Sequence, residues 1–153
     1  MNEHILVDDF GRRTVFTGER LVEESTDNSH SIKPQWIEID VWRTQAGSFV
    51  VQRTTRYRIR HLNPACSKAE GYDLAAATPE DTYACRTCNP SGINHGGWSQ
   101  EDRTTIDVYH TAEELIDGFQ IEGKFTTLSR AILADIAEQD NRVDEAWSTV
   151  VVP

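Results

Sequence analysis

An α+β fold is predicted by three observations: strict alternation over residues 35–43, a turn signal at 44–48 that returns this strand onto 49–60, and helical spacing confined to the last third of the chain. The first strand signal is earlier and weaker. From Arg13 to Glu24, RTVFTGERLVEE carries β-formers in rough alternation, with Gly18 where strands commonly bulge or bend. The following TDNSHSIKP is turn chemistry, and Pro34 holds Lys33 extended, so a loop is expected there. Gln35 to Arg43 then places Ile37, Ile39 and Val41 on one face and Trp36, Glu38, Asp40 and Trp42 on the other.

Thr44-Gln-Ala-Gly-Ser48 separates this strand from FVVQRTTRYRIR, and Gly47 can take the positive φ that closes a three-residue hairpin loop. With Thr44 facing Ser48, Val41 pairs with Val51 and Ile39 with Arg53. The inner face then reads Ile37, Ile39, Val41, Phe49, Val51, Tyr57 and Ile59. Arg53 interrupts it and requires an acidic partner or a slipped register. The hairpin 35–60 and the first strand make a three-stranded antiparallel meander, whose apolar side needs a cover.

The cover is expected from two C-terminal helices that follow a short strand at Thr104–Tyr109. Thr111-Ala-Glu-Glu114 has the capping-box arrangement just before Leu115, Ile116 and Phe119. After Gly123, TTLSRAILADIAEQD places Leu128, Ile132 and Ile136 on one side of a longer helix, with Ala131 beside them. Residues 143–147 continue as helix, and STVVV after them reads as an edge strand. One domain over 1–153 suits this length, with an insertion at 61–98.

Composition narrows the classes of function. The chain has 15 Lys and Arg against 25 Asp and Glu, a formal charge of −10, and no apolar run near the ~20 residues that cross a bilayer. No membrane span is expected, and the N-terminal MNEHILVDDFGRR does not read as a secretory signal, which points to a cytoplasmic protein. Three cysteines are too few and too odd in number for a disulfide framework. Glycine-rich phosphate loops and the G-x-S-x-G elbow are absent from the sequence.

All three cysteines lie between residues 66 and 88, as His61-x4-Cys66 followed by Cys85-x2-Cys88. Two thiolates three positions apart grip one ion from a tight turn, and a distant His/Cys pair completes a tetrahedron. The expected cofactor is therefore zinc on His61, Cys66, Cys85 and Cys88, in a knuckle-like insertion with little apolar volume of its own. Asn63-Pro64 and Asn89-Pro90 are positioned to bend the chain around the ligands. His95 is the alternative fourth ligand, and His110 a distant third choice. Idle thiols in a loop are the competing reading.

Catalysis by this ion finds little support. No Glu stands two positions after a candidate His, Ala84 occupies the place of Pro before the C-x-x-C pair, and H-E-x-x-H does not occur. A redox role for Cys85-Arg-Thr-Cys88 needs a helix after the first cysteine, which Asn89-Pro90 opposes. A thiol enzyme using Cys66 with His61 rests on residue identity alone.

Residues 41–60 hold Arg43, Arg53, Arg56, Arg58 and Arg60 and no acid, whereas residues 101–153 hold 4 bases and 12 acids. Arg56, Arg58 and Arg60 share one strand face with Trp36 and Trp42 nearby, a pattern that suits single-stranded nucleic acid. Pairing of those arginines with Glu38 and Asp40, and stacking of Trp36 on an arginine, is the simpler reading, because the net charge repels polyanions. The leading functional expectation is a non-enzymatic accessory module that binds another protein through Trp36, Trp42 and the arginines. A zinc or thiol enzyme and a nucleic-acid binder stand as alternatives.

Overall fold

The structure, a computed structural model, describes residues 1–26 and 34–148. Along the chain these form β1 (Asn2–Val7), β2 (Arg13–Ser25), β3 (Gln35–Thr44), β4 (Phe49–His61), β5 (Tyr83–Ala84), β6 (Gly97–Tyr109), α1 (Ala112–Gly118), β7 (Gln120–Ile121), β8 (Lys124–Phe125), α2 (Thr127–Gln139) and α3 (Asn141–Ser148). The class is α+β, and strand outweighs helix. Six strands make one sheet in the order β1-β2-β3-β4-β5, with β6 also paired to β4, while β7 and β8 form a separate ribbon. This enlarges the expected three-stranded meander. Ser148, expected to open an edge strand, ends α3 instead, and the rest of that strand (149–152) and most of the expected loop lie outside the described residues.

The hairpin forms in the expected register. Thr44 N donates to Ser48 O at 2.8 Å, Gly47 N donates to Thr44 O, and Gly47 adopts φ 90°, which is the three-residue loop with its left-handed closing position. At the far end Arg58 N donates to Pro34 O, which is the same pairing offset. A strand that keeps one offset over its whole length keeps its side chains on their assigned faces.

The chain divides into two compact units. The first comprises Met1–Glu24, Ile39–Arg53 and the segment from Thr104 onward. Its core contains Ile39, Val41, Phe49, Val51, Leu115, Ile132, Leu133, Ile136 and Val143, all buried. Full burial of an aliphatic or aromatic side chain contributes about 1.5–3 kcal/mol, so this cluster dominates the unit's stability. Thr111 caps α1 by accepting from Glu114 N, and the Glu114 carboxylate accepts from His110 N, one residue before the Thr111 amide that a full capping box engages. Three helices stand where two are expected, because Asp140 leaves the helical conformation and α3 turns to pack on α1 and α2.

Arg53 finds the acidic partner its position demands. Its guanidinium donates to Asp107 at 3.0 Å and to Gly118 O at 2.9 Å, and lies over the Phe119 ring. Trp42 corrects an expectation. It is only 5% exposed, because His4 of β1 and Phe16 of β2 form an aromatic ladder against it across the sheet. Strand alternation identified its face correctly, but not the strand that covers it.

Between α2 and α3 the Asp140 carboxylate, 4% exposed, accepts from Arg43 at 3.2 Å and from Arg142 at 2.8 and 3.1 Å. Burial alone would raise its pKa, but the hydrogen bonds from Arg142 and Arg43 outweigh it and hold the carboxyl at about 2 against an ordinary 3.8. A depressed pKa stabilises the fold above the unfolded value, and that contribution is lost as pH falls from about 4 toward about 2. Asp140→Asn should therefore cost about 2 kcal/mol at neutral pH in urea unfolding, and should flatten the acid limb of the stability curve. A variant as stable as the parent at pH 7 contradicts this assignment.

Candidate metal centre

The second unit comprises Ser25–Glu38 and Thr54–Arg103. In it β4 runs into His61, and the Ile59 and Arg60 positions pair in parallel with Tyr83 and Ala84 of β5. Cys85 N donates to Arg60 O at 2.8 Å, which delivers the C-x-x-C turn beside the last residues of β4. Asn63 begins the other turn as expected: its side chain accepts from Ala65 N, and its carbonyl accepts from Cys66 N. Asn89, fully buried, closes the loop after Cys88 by bonding Ile93 through both ends of its amide. Gly96, at φ 127°, passes so near the His61 carbonyl that a Cβ would collide with it.

These turns bring His61, Cys66, Cys85 and Cys88 together, with one donor atom from each lying within 4.8 Å of the others. Cys66 Sγ and Cys85 Sγ are 4.0 Å apart, and Cys88 Sγ is 3.4 Å from His61 Nδ1. The edges of a tetrahedron with ligand bonds of 2.0–2.3 Å are about 3.5–3.8 Å, so the group has the size to hold one metal ion. His95 is exposed and outside the cluster, and His110 instead bonds Ser48.

The electrostatics suit a metal-ligand set. Burial opposes charge on Cys85, but the amides of Cys88 and Thr87 aim at its sulfur and bring the thiol below its ordinary pKa. On Cys66 the amide of Lys68 acts downward, while burial and the sulfurs of Cys88 and Cys85 push harder upward. Three sulfurs this close cannot all ionise unless positive charge sits among them. Burial lowers the His61 pKa, so the imidazole is neutral and its nitrogen free to ligate.

Ser99, invisible to the sequence reading, orients that imidazole. Its hydroxyl lies 2.6 Å from His61 Nε2 and donates to Lys68 O at 3.2 Å. A hydroxyl whose proton is committed to a carbonyl accepts at its oxygen, so Nε2 carries the hydrogen and Nδ1 presents its lone pair to the sulfurs. No spacing rule links Ser99 to His61, because the contact depends on where β6 runs.

The arginines expected on an open platform are satisfied internally. Arg56 bonds Glu38 and Asp102, each at 2.6 Å. Arg58 lies over the Trp36 ring at 4.4 Å and near Trp98. Arg60, 5% exposed, donates to Ile93 O and to the carbonyl and hydroxyl of Thr82. Trp36 is 6% exposed under this arginine cover, so it does not form an open face. Asp40 pairs with Arg20 of β2.

Comparison of the chain with known protein families, curated proteins and solved structures returned no match.

Ser99→Ala should weaken metal binding by about 10- to 100-fold while leaving one site per chain, as loss of such an orienting partner does elsewhere. Competition with a chromophoric chelator measures this, and an unchanged affinity would remove Ser99 from the account.

Proposed function

We propose that the chain is a zinc-stabilised, non-enzymatic binding module. The observation that carries the reading is the convergence of His61, Cys66, Cys85 and Cys88 on a volume the size of one tetrahedral ion. Zinc is favoured among metals because thiolates and imidazole suit it, and because three sulfurs with one nitrogen is a structural zinc set. Four protein donors fill the coordination sphere and leave no place for an activated water, which is the basis for assigning the ion a structural role.

What the ion supports is local. Residues 62–82 contribute few buried apolar side chains, chiefly Ala69 and Ala77, so packing stabilises this stretch weakly. A zinc ion cross-linking His61 and Cys66 to Cys85 and Cys88 would hold it in place and supply folding free energy instead. As for partners, the expected protein-binding surface around Trp36 and Trp42 is internal, so any binding face must lie elsewhere in the molecule.

Elemental analysis of the purified protein should find one zinc per chain, and Cys85→Ser and Cys66→Ser should each retain far less. A strong chelator should lower the melting temperature of the parent and leave that of Cys85→Ser unmoved. A folded parent free of bound metal, with the same melting temperature before and after chelation, contradicts the proposal.

A further inference from the structure

Cys85 is the one member of the cluster that borders a cleft of about 660 Å³, whose other lining groups include Tyr57, Lys68, Tyr83, Arg86, Glu101 and Arg103. Within a chain of net charge −10 this is a local reversal, three cations against one carboxylate. Residues 54–103 hold six basic and six acidic residues, so the surplus of acid lies in the rest of the chain. Long-range repulsion from it is screened beyond about 8 Å at physiological ionic strength.

The cleft cations differ from those of β4 in what they already touch. Arg56, Arg58 and Arg60 are engaged by carboxylates, rings and carbonyls. Among the described residues, the Lys68 ammonium and the Arg86 guanidinium have neither hydrogen-bond nor ion-pair partners. Arg86 sits between the two cysteines of the C-x-x-C turn, and Lys68 lies two residues after Cys66, so a metal that holds these turns also holds both charges at the cleft. Arg103 lies over the Tyr57 ring at 5.4 Å, with Glu101 3.9 Å away. Tyr83 is 45% exposed, its ring 6.3 Å from that of Tyr57 and tilted by 51°, so the pair offers aromatic surface beside the free cations.

We propose that this cleft binds single-stranded nucleic acid, with phosphates against Lys68 and Arg86 and a base against the Tyr83 ring. The inference rests on the zinc reading only in that the metal holds the Cys85–Cys88 turn in place. Free cations beside an exposed aromatic ring match a strand whose phosphates and bases alternate. An acidic polypeptide would use the cations and leave the rings without a role. Stacking tolerates any base, so little sequence preference is expected.

The test uses the full zinc-loaded chain and a fluorescein-labelled oligothymidylate of about eight nucleotides, within the ~4–16 that such sites cover. Fluorescence anisotropy should show binding at about 50 mM salt that weakens about sevenfold by about 200 mM. Arg86→Ala and Lys68→Ala should each lower affinity and reduce the salt slope by about 0.7. Tyr83→Ala should lower affinity about tenfold with the slope unchanged. No binding at low salt overturns the inference, as does affinity indifferent to Arg86 and Tyr83, or displacement of the oligonucleotide by polyglutamate of equal charge as readily as by unlabelled strand. Metal content measured on the same samples separates the two proposals. One zinc per chain without oligonucleotide binding removes the cleft assignment and leaves the metal reading intact. Zinc-free protein whose binding still depends on Arg86 and Tyr83 removes the metal reading and upholds the cleft.

Discussion

One donor atom from each of His61, Cys66, Cys85 and Cys88 lies within 4.8 Å of the others, so close that the three sulfurs can ionise together only with positive charge among them. Much of the second unit can be understood from that constraint. β4 ends on His61, β5 is only two residues long, and its pairing with β4 sets Cys85 beside that histidine. The turns around Asn63 and Asn89 shape the two ligand loops. A divalent cation on these donors would turn mutual repulsion into attraction and tie two stretches of weakly packed chain together.

The positive charges on β4 are engaged by near neighbours. Arg53 and Arg56 have carboxylates from β6, Arg58 has indole rings, and Arg60 has the carbonyls of Thr82 and Ile93. Arg60 is notable because it is buried against neutral acceptors and so fastens the loops flanking the cysteines to the strand that carries His61. An alternating arginine strand in an acidic chain therefore works here as internal bracing. Lys68 and Arg86, carried by the cysteine turns themselves, have no such partner among the described residues.

The legibility of these features in the sequence follows the range of the interactions involved. The hairpin and its register were readable because Thr44, Gly47 and Ser48 determine them within five residues. The N-cap at Thr111 was readable for the same reason. The four metal-ligand candidates were readable because their chemistry is rare and their spacing short. The solvent exposure of Trp36 and Trp42 was not, since alternation assigns a side chain to a face and says nothing of what lies on it: His4 and Phe16 cover one indole, Arg58 the other. β1 has alternating burial, but it pairs with β2 across a tight turn at Asp8–Arg12 whose hydrogen bonds only the folded chain displays. Ser99, 38 residues from His61, gave no local sign of its role.

X-ray absorption at the zinc edge of the purified protein measures the coordination sphere itself. Three sulfur neighbours at about 2.3 Å with one nitrogen at about 2.0 Å is the result this account requires. A sphere holding a water oxygen, or fewer than three sulfurs, would contradict a closed structural ion and reopen the site to catalysis.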